Sequence, residues 1–313
     1  INEYYIFAYC RSSMAALKVA SNFSKISMAP WYKTVMMCRP KFFDVRHRFL
    51  NAHMDMRIAV KKNLALTQWE NAYKTLLANN IKVDLLEPHP DLPDMVFTAN
   101  AGIVHGNKAV VSSFGAVPRQ PETHYHIPFF KERGFEVINP IDDGVEIEGC
   151  GDFMPTHNGE NFFVAYGFRS SFKAYAYLKD VLSLPKDRLH HMKLMDPYFY
   201  HIDTALMSLT HGHLMYYPGA FDKESEEKIL DVGGDKTIAI GKEDAMDFAC
   251  NSVNFEESGE HIIVGNKFSD ILKDKLTNFG YKVIETPYQQ FLLAGGSIRC
   301  SVLDIGKSDE MAS

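Results

Sequence analysis

Long apolar runs are absent from this sequence. Its 313 residues contain no uninterrupted apolar stretch of 18 or more, where a membrane-spanning helix needs about 20, so no membrane partner is expected. Cysteine is scarce. The five (Cys10, Cys38, Cys150, Cys250 and Cys300) are odd in number and widely spread, with no CxxC pair and no Cys/His zinc spacing. A reducing compartment is the natural setting for such a distribution. Basic excess is missing too. The 33 Lys and Arg stand against 39 Asp and Glu, a net charge of -6, which argues against a nucleic-acid partner.

Acid is missing from one stretch only. Between Glu3 and Asp44 there is none, while Arg11, Lys18, Lys25, Lys33, Arg39 and Lys41 occur there. At about 100° per residue, Arg11, Lys18 and Lys25 share one helical stripe, and Ala16, Val19, Phe23 and Ile26 another. An amphipathic, basic, acid-poor start resembles an organelle transit peptide. The competing reading is an added extension, with Met14 or Met28 as the true start. Residues 1–33 are therefore set apart as a leader, 34–306 as one domain and 307–313 as a tail. The compartment expected is cytoplasmic, or mitochondrial or another organelle if the leader is genuine.

What is present is ordinary for a globular chain, 46% hydrophobic and 23% charged. From Thr34 the pattern predicts strands at 34–38 and 81–86 around a helix at 57–79, where Leu64, Trp69, Tyr73, Leu76 and Leu77 lie near 3.6-residue spacing. Strands at 95–104 and 109–114, a helix at 121–133 and a strand at 135–138 follow. The order strand, strand, helix, strand then recurs. It reads 161–165, helix 170–182, 189–194; 201–209, 213–217, helix 223–230, 237–240; and 261–264, helix 269–279, 281–284.

A period underlies that order. Polar or thiol residues flanked by small and apolar ones fall at Asn100, Asp152, Asp203, Asn251 and Cys300, with separations of 52, 51, 48 and 49. Five such units predict an α/β fold closed radially, a five-bladed propeller with pseudo-fivefold ββαβ repeats, which leaves no open sheet edge. Those five positions then line one axis.

Taken singly, the polar residues near that axis have ordinary explanations. Asn100 caps a turn, Glu148 is surface charge, His201 is a satisfied core histidine, and Cys300, after Gly295-Gly296, is a small buried hydrophobe. Together they make a different set: a thiol nucleophile, a histidine acid/base and several carboxylates, including Asp152 and Asp203. Acids beside a thiol raise its pKa and spoil a generic nucleophile. They make sense for a planar cationic substrate that needs several acceptors, such as a guanidinium. No metal or organic cofactor is expected. His124-x-His126 and His211-Gly-His213 are spaced two apart, but neither has a third ligand nearby.

Phe-Thr-Ala-Asn-Ala-Gly, Glu-Gly-x-Gly-Asp, Tyr-His-x-Asp-Thr, Tyr-Pro-Gly-Ala-Phe-Asp and Gly-Gly-x-x-x-Cys occur in that order. With Met-Cys-Arg-Pro-x-x-Phe-Asp-Val at 37–45, they resemble the guanidine-modifying, or pentein, superfamily over about residues 34–305. That superfamily includes arginine deiminases, dimethylarginine dimethylaminohydrolases, amidinotransferases and arginine dihydrolases, on a five-bladed α/β propeller. The resemblance implies Cys300 as nucleophile, His201 as general acid/base, and Glu148 and Asp203 as guanidinium holders. It implies Arg119 as the binder of the amino-acid carboxylate, with Arg169 also facing the pocket. Deiminases carry Asp where this chain has Asn100, and the dihydrolase branch has Asn there. An amide accepts from a guanidinium and donates to a ureido oxygen, so Asn100 is expected to retain a first product for a second hydrolysis. The expected activity is arginine to ornithine, carbon dioxide and two ammonia. Methylarginine hydrolysis, deimination, amidino transfer and a non-catalytic binding protein on the same fold are the alternatives. A homo-oligomer is compatible with all of them.

Overall fold

The structure, a computed structural model, describes residues 32–47 and 50–306. The expected tail, and the expected basic leader but for its last two residues, lie outside the described residues. β1 (Thr34–Cys38) leads through α1 (Lys62–Ala78) to β2 (Lys82–Leu86), which lies parallel to β1. The next unit is complete. β3 (Gly102–His105) and β4 (Lys108–Val111) form an antiparallel hairpin, α2 (Thr123–Glu132) follows, and β5 (Glu136–Ile138) returns parallel to β4.

The plan repeats in β6 (Phe153–Pro155), β7 (Phe162–Tyr166), α3 (Ala174–Val181) and β8 (Leu189–Lys193). It returns in β9 (Leu206–Ser208), β10 (Leu214–Tyr216), α4 (Lys223–Gly233) and β11 (Thr237–Ala239). After the short α5 (Lys242–Met246) come β12 (Val253–Glu257), β13 (Glu260–Gly265), α6 (Asp270–Asn278) and β14 (Tyr281–Glu285). Beyond α7 (Gln289–Leu292), β15 (Leu303–Asp304) pairs antiparallel with β1, with Val35 opposite Asp304 and Met36 opposite Leu303. The last strand thus supplies the hairpin partner that the first unit lacks. Five three-stranded mixed sheets result.

The helices begin where their residues dictate. Asp222 accepts from Ser225 N at 3.0 Å ahead of α4, with Glu224 and Glu226 in the first turn, where the positive end of the helix favours acid. Ser269 caps α6 in the same way at 3.2 Å. α1 starts later than predicted because Lys61 is extended and its N–H goes to Gln290 Oε1 at 2.7 Å. Trp69, Ala72 and Leu76 of α1 pack with Val35 and Met37 of β1 and with Phe255 and Val264 of the neighbouring sheet. Each large side chain buried there contributes about 1.5–3 kcal/mol. Phe43, which stacks on Phe291 at 4.6 Å between centroids, ties the segment after β1 to the one before Cys300.

Two expected strands give way to turns on the side where the polar residues gather. The 95–104 stretch is two tight turns, Pro93–Val96 and Thr98–Ala101, before β3, and 201–209 is a turn at Ile202–Thr204 before β9. Cys300 likewise sits in a turn, Arg299–Ser301, ahead of β15. The physical reason recurs. Asn100 sends its side chain to Glu148 O at 2.9 Å, and Thr204 sends its hydroxyl to His201 O at 2.7 Å. Such local bonds compete with a strand ladder. Among the described residues no helix is long and apolar enough to cross a membrane.

Candidate active site

The turn carrying Glu148 and Asp152 lies against the one carrying Asn100, and its glycines make this approach possible. Gly149 has φ +61 and sits where a Cβ would come within 2.6 Å of Ala99 O. At Gly151 a Cβ would collide with Asn100 Nδ2 and crowd His201 Nδ1. The Glu-Gly-x-Gly-Asp motif is therefore a contact surface between turns, with its two acids projecting from the ends.

His201 lies between those acids. Its Nδ1 is 3.1 Å from Asp152 Oδ2 and its Nε2 is 3.5 Å from Glu148 Oε2. Ser170 Oγ donates to Asp152 Oδ2 at 2.6 Å and accepts from Glu148 N at 3.0 Å, tying the two carboxylate positions together. Burial opposes charge on His201, but Asp152 and Glu148 outweigh it and push the imidazole up to about 9. Burial alone would also raise Glu148. Arg169 and His201 instead hold it well below the usual carboxylate range.

The far side of Nε2 meets Asn100 Nδ2 at 3.3 Å. The amide's orientation follows from its other bonds, since Arg119 Nη1 donates to Oδ1 at 2.9 Å while Nδ2 donates to Glu148 O at 2.9 Å. A nitrogen donor facing Nε2 suits only the neutral ring, whereas Glu148 suits the protonated one. The two partners of Nε2 therefore suit the two protonation states of the ring.

Cys300 Sγ lies 3.6 and 3.9 Å from the two oxygens of Asp203, to which the thiol donates. Burial and then Asp203 push the thiol well above its ordinary value. Burial raises Asp203 itself to about 6, against the pull of His201 and Arg299.

All eight residues predicted for the site (Asn100, Arg119, Glu148, Asp152, Arg169, His201, Asp203 and Cys300) are buried. Neither arginine is solvated surface charge. Arg169 donates through Nε to Glu148 Oε1 at 3.0 Å, with Nη2 at ion-pair distance from Oε2 (2.8 Å), and lies over the Tyr200 ring. Arg119 forks onto Glu122 with both bonds at 2.9 Å, besides fixing Asn100. Burial pushes Glu122 up to about 7 even with Arg119 opposing it.

Several neighbours had no signal of their own in the sequence. Ser170 and Glu122 read as helix residues. Asp94, buried with Oδ1 unbonded, reads as part of a loop. Asn251 was marked by the period but by no chemistry. The histidine pairs stand apart from these groups: His124 is exposed, His126 is buried in α2, and the His211 ring lies tilted against His261 at 3.6 Å between ring centroids. Among the described residues no group of three or more His, Cys, Asp or Glu is arranged to hold a metal ion.

A buried thiol lies on a carboxylate, an imidazole lies between two more, and one of those carboxylates already pairs with a guanidinium. A family model for N,N dimethylarginine dimethylhydrolase, eukaryotic, matches residues 39–307, and the chain belongs to that family. It is 39% identical over 272 residues to the bifunctional arginine dihydrolase/ornithine cyclodeaminase AgrE of Nostoc, which covers 86% of this chain and 37% of that protein. It is 33% identical over 276 residues to the N(G),N(G)-dimethylarginine dimethylaminohydrolase of Mycobacterium tuberculosis, covering 88% and 87%. Among solved structures, the N-terminal domain of ArgZ, a cyanobacterial arginine dihydrolase bound to substrate, aligns with a TM-score of 0.82 at 36% identity, covering 88% of this chain and 98% of that one. The chain spans 37% of the length of the AgrE relative.

Proposed function

We propose that this chain is an arginine dihydrolase. Cys300 attacks the guanidinium carbon, and the tetrahedral adduct expels ammonia that takes its proton from His201. Water, giving a proton back to His201, then releases the ureido product from the thiouronium. A second round on that product expels a second ammonia and leaves a carbamate, which decomposes to ornithine and carbon dioxide. Two waters are consumed overall. Bound substrate brings the positive charge that lets Cys300 ionise beside Asp203.

The orientation of Asn100 carries the dihydrolase reading. With Oδ1 held by Arg119, its Nδ2 faces the His201–Glu148 side of the site and is a donor for a ureido oxygen that no carboxylate supplies. Glu148 already pairs with one guanidinium, that of Arg169, through one hydrogen bond and a second ion-pair contact. The carboxylate is therefore shaped for the group the substrate presents. Arg119 and Arg169 supply the positive charge for the α-carboxylate, and Asp203 takes guanidinium N–H groups. The activities of the relatives support the same reading.

We also infer that the five sheets stand as blades around one axis. Side chains at the repeat positions bond into the neighbouring unit: Asn100 to Glu148 O, Asp152 to Ile202 N, and Asn251 to Asp203 O and Cys300 N. A ring of such links is what radial closure requires.

The test is incubation with arginine and quantification of ornithine against citrulline, with Cys300→Ser as the blank. Citrulline as the sole product ends the dihydrolase reading. Dimethylamine released from dimethylarginine, with arginine untouched, favours the activity of the Mycobacterium relative. A new guanidino compound formed only when glycine is added favours amidino transfer.

A further inference from the structure

Asn251 is fully buried and every polar atom it has is engaged. Its Oδ1 accepts from Ser297 N at 2.9 Å and from Cys300 N at 3.1 Å. Its Nδ2 donates to Asp203 O at 3.1 Å and to Cys300 Sγ at 3.1 Å. Two backbone N–H groups fix the oxygen, so the amide has one possible orientation and a hydrogen must point at the sulfur.

That hydrogen matters because burial and Asp203 oppose ionisation of the sulfur, and it acts against them alongside the Ser297 backbone and the charge of Arg299. The site is buried, and Asp203 stands within 3.6 Å of Sγ. Asp203 stabilises the protonated thiol by accepting from it, and offers nothing to a thiolate except repulsion. The bond from Asn251 acts in the opposite sense, since a donor strengthens its bond as the acceptor gains charge.

We propose that Asn251 is a catalytic residue, the donor that holds and aims the Cys300 thiolate for attack. The same amide builds the nucleophile's turn through Oδ1 and stabilises its charge through Nδ2. The inference rests on Cys300 being the nucleophile, and its test does not need arginine to be the substrate.

Asn251→Asp separates the two functions. The carboxylate keeps an acceptor for Ser297 N and Cys300 N, removes the donor at Sγ and adds a like charge. Cys300 is alkylated with iodoacetamide across a pH series: thiolate sulfur bonds to the methylene carbon, iodide leaves, and the thiol proton goes to buffer. Iodoacetamide-modified peptide is counted by mass spectrometry, with Cys300→Ser as the blank, and kcat and KM for arginine are measured alongside. N251D is expected to shift the alkylation profile to higher pH, to slow alkylation near neutrality by about tenfold to a hundredfold, as loss of a hydrogen bond to a charged group implies, and to lower kcat more than KM. A lower melting temperature with an unmoved alkylation profile makes Asn251 a structural brace and overturns the proposal. Should N251D not fold, Asn251→Ala is read the same way, and an unchanged profile there overturns it equally. Wild-type alkylation at Cys300 that is sensitive to N251D, without turnover of any guanidino compound, leaves this inference standing while the proposed function fails.

Discussion

Replacing Glu148 by Gln removes one charge on which two other groups depend. Gln keeps the shape and one acceptor, so the losses are electrostatic. Arg169, only 9% exposed, pairs with Glu148 at 3.0 and 2.8 Å. A buried charge stripped of its partner costs about 3–5 kcal/mol, or roughly 5–8 °C of melting temperature at this chain size. His201 loses the second of its two carboxylates and drops from its value of about 9. Because that value is raised above 6.5, the group's contribution to stability is complete below pH 6.5 and is lost as pH rises through about 9. The full span is worth ~3 kcal/mol at most. Wild-type stability should therefore fall across that window, and E148Q should start lower but fall less. Denaturant unfolding at several pH values across it, with thermal melts and arginine turnover, reads all three effects; turnover should drop by about a hundredfold or more. A melt within ~2 °C of wild type together with an unchanged pH slope would refute the reasoning.

Asn100→Asp puts a second carboxylate oxygen against Glu148 O, where Nδ2 now donates at 2.9 Å. It should make citrulline accumulate at the expense of ornithine, and an unchanged product ratio by chromatography counts against the role given to the amide. The Cys300 thiol, raised by burial and Asp203, should be alkylated slowly at neutral pH and faster as pH rises; fast, pH-independent labelling would mean a free thiolate. Arg119→Lys cannot fork onto Glu122, whose value already stands at about 7. A raised acid loses stability as pH climbs from 4.5 through its folded value, so R119K should lose more over that range, and to higher pH, than wild type. Denaturant midpoints that fall in parallel for the two proteins reject this.

The repeat was legible because each unit spends one polar residue at the same place in an apolar stretch, and that spacing survives where residue identity does not. Element ends were not legible there, for the same reason. A residue such as Asn100 that bonds sideways to Glu148 O leaves the strand ladder, and pattern counting extends the strand through it. The β1–β15 pair was invisible as a pair. β15 is two residues long and its partner lies at the other end of the chain. Nothing in the sequence beside Arg169 marks it as buried, and only the approach of Glu148 draws the guanidinium inward. Asn251 had its place in the period but no sequence signal for its use, which depends on where the Cys300 turn lands.

The last sheet explains why this site needs both ends of the chain. Cys300 is fixed by Asn251 from the fourth repeat position on one side and by β15 pairing with β1 on the other. Ile305 N donates to Thr34 O at 3.0 Å, which extends that closure by one bond beyond the two paired residues. Asn100, Glu148 and His201 come from turns between these ends, joined by Asn100 Nδ2 to Glu148 O, Asn100 Nδ2 to His201 Nε2, and His201 Nε2 beside Glu148 Oε2. No single unit contains an acid, a base and a nucleophile. Under the proposed function these groups act together only once the sheets have met, so a change that frays β15 should remove the support of Cys300 before it disturbs the other described sheets.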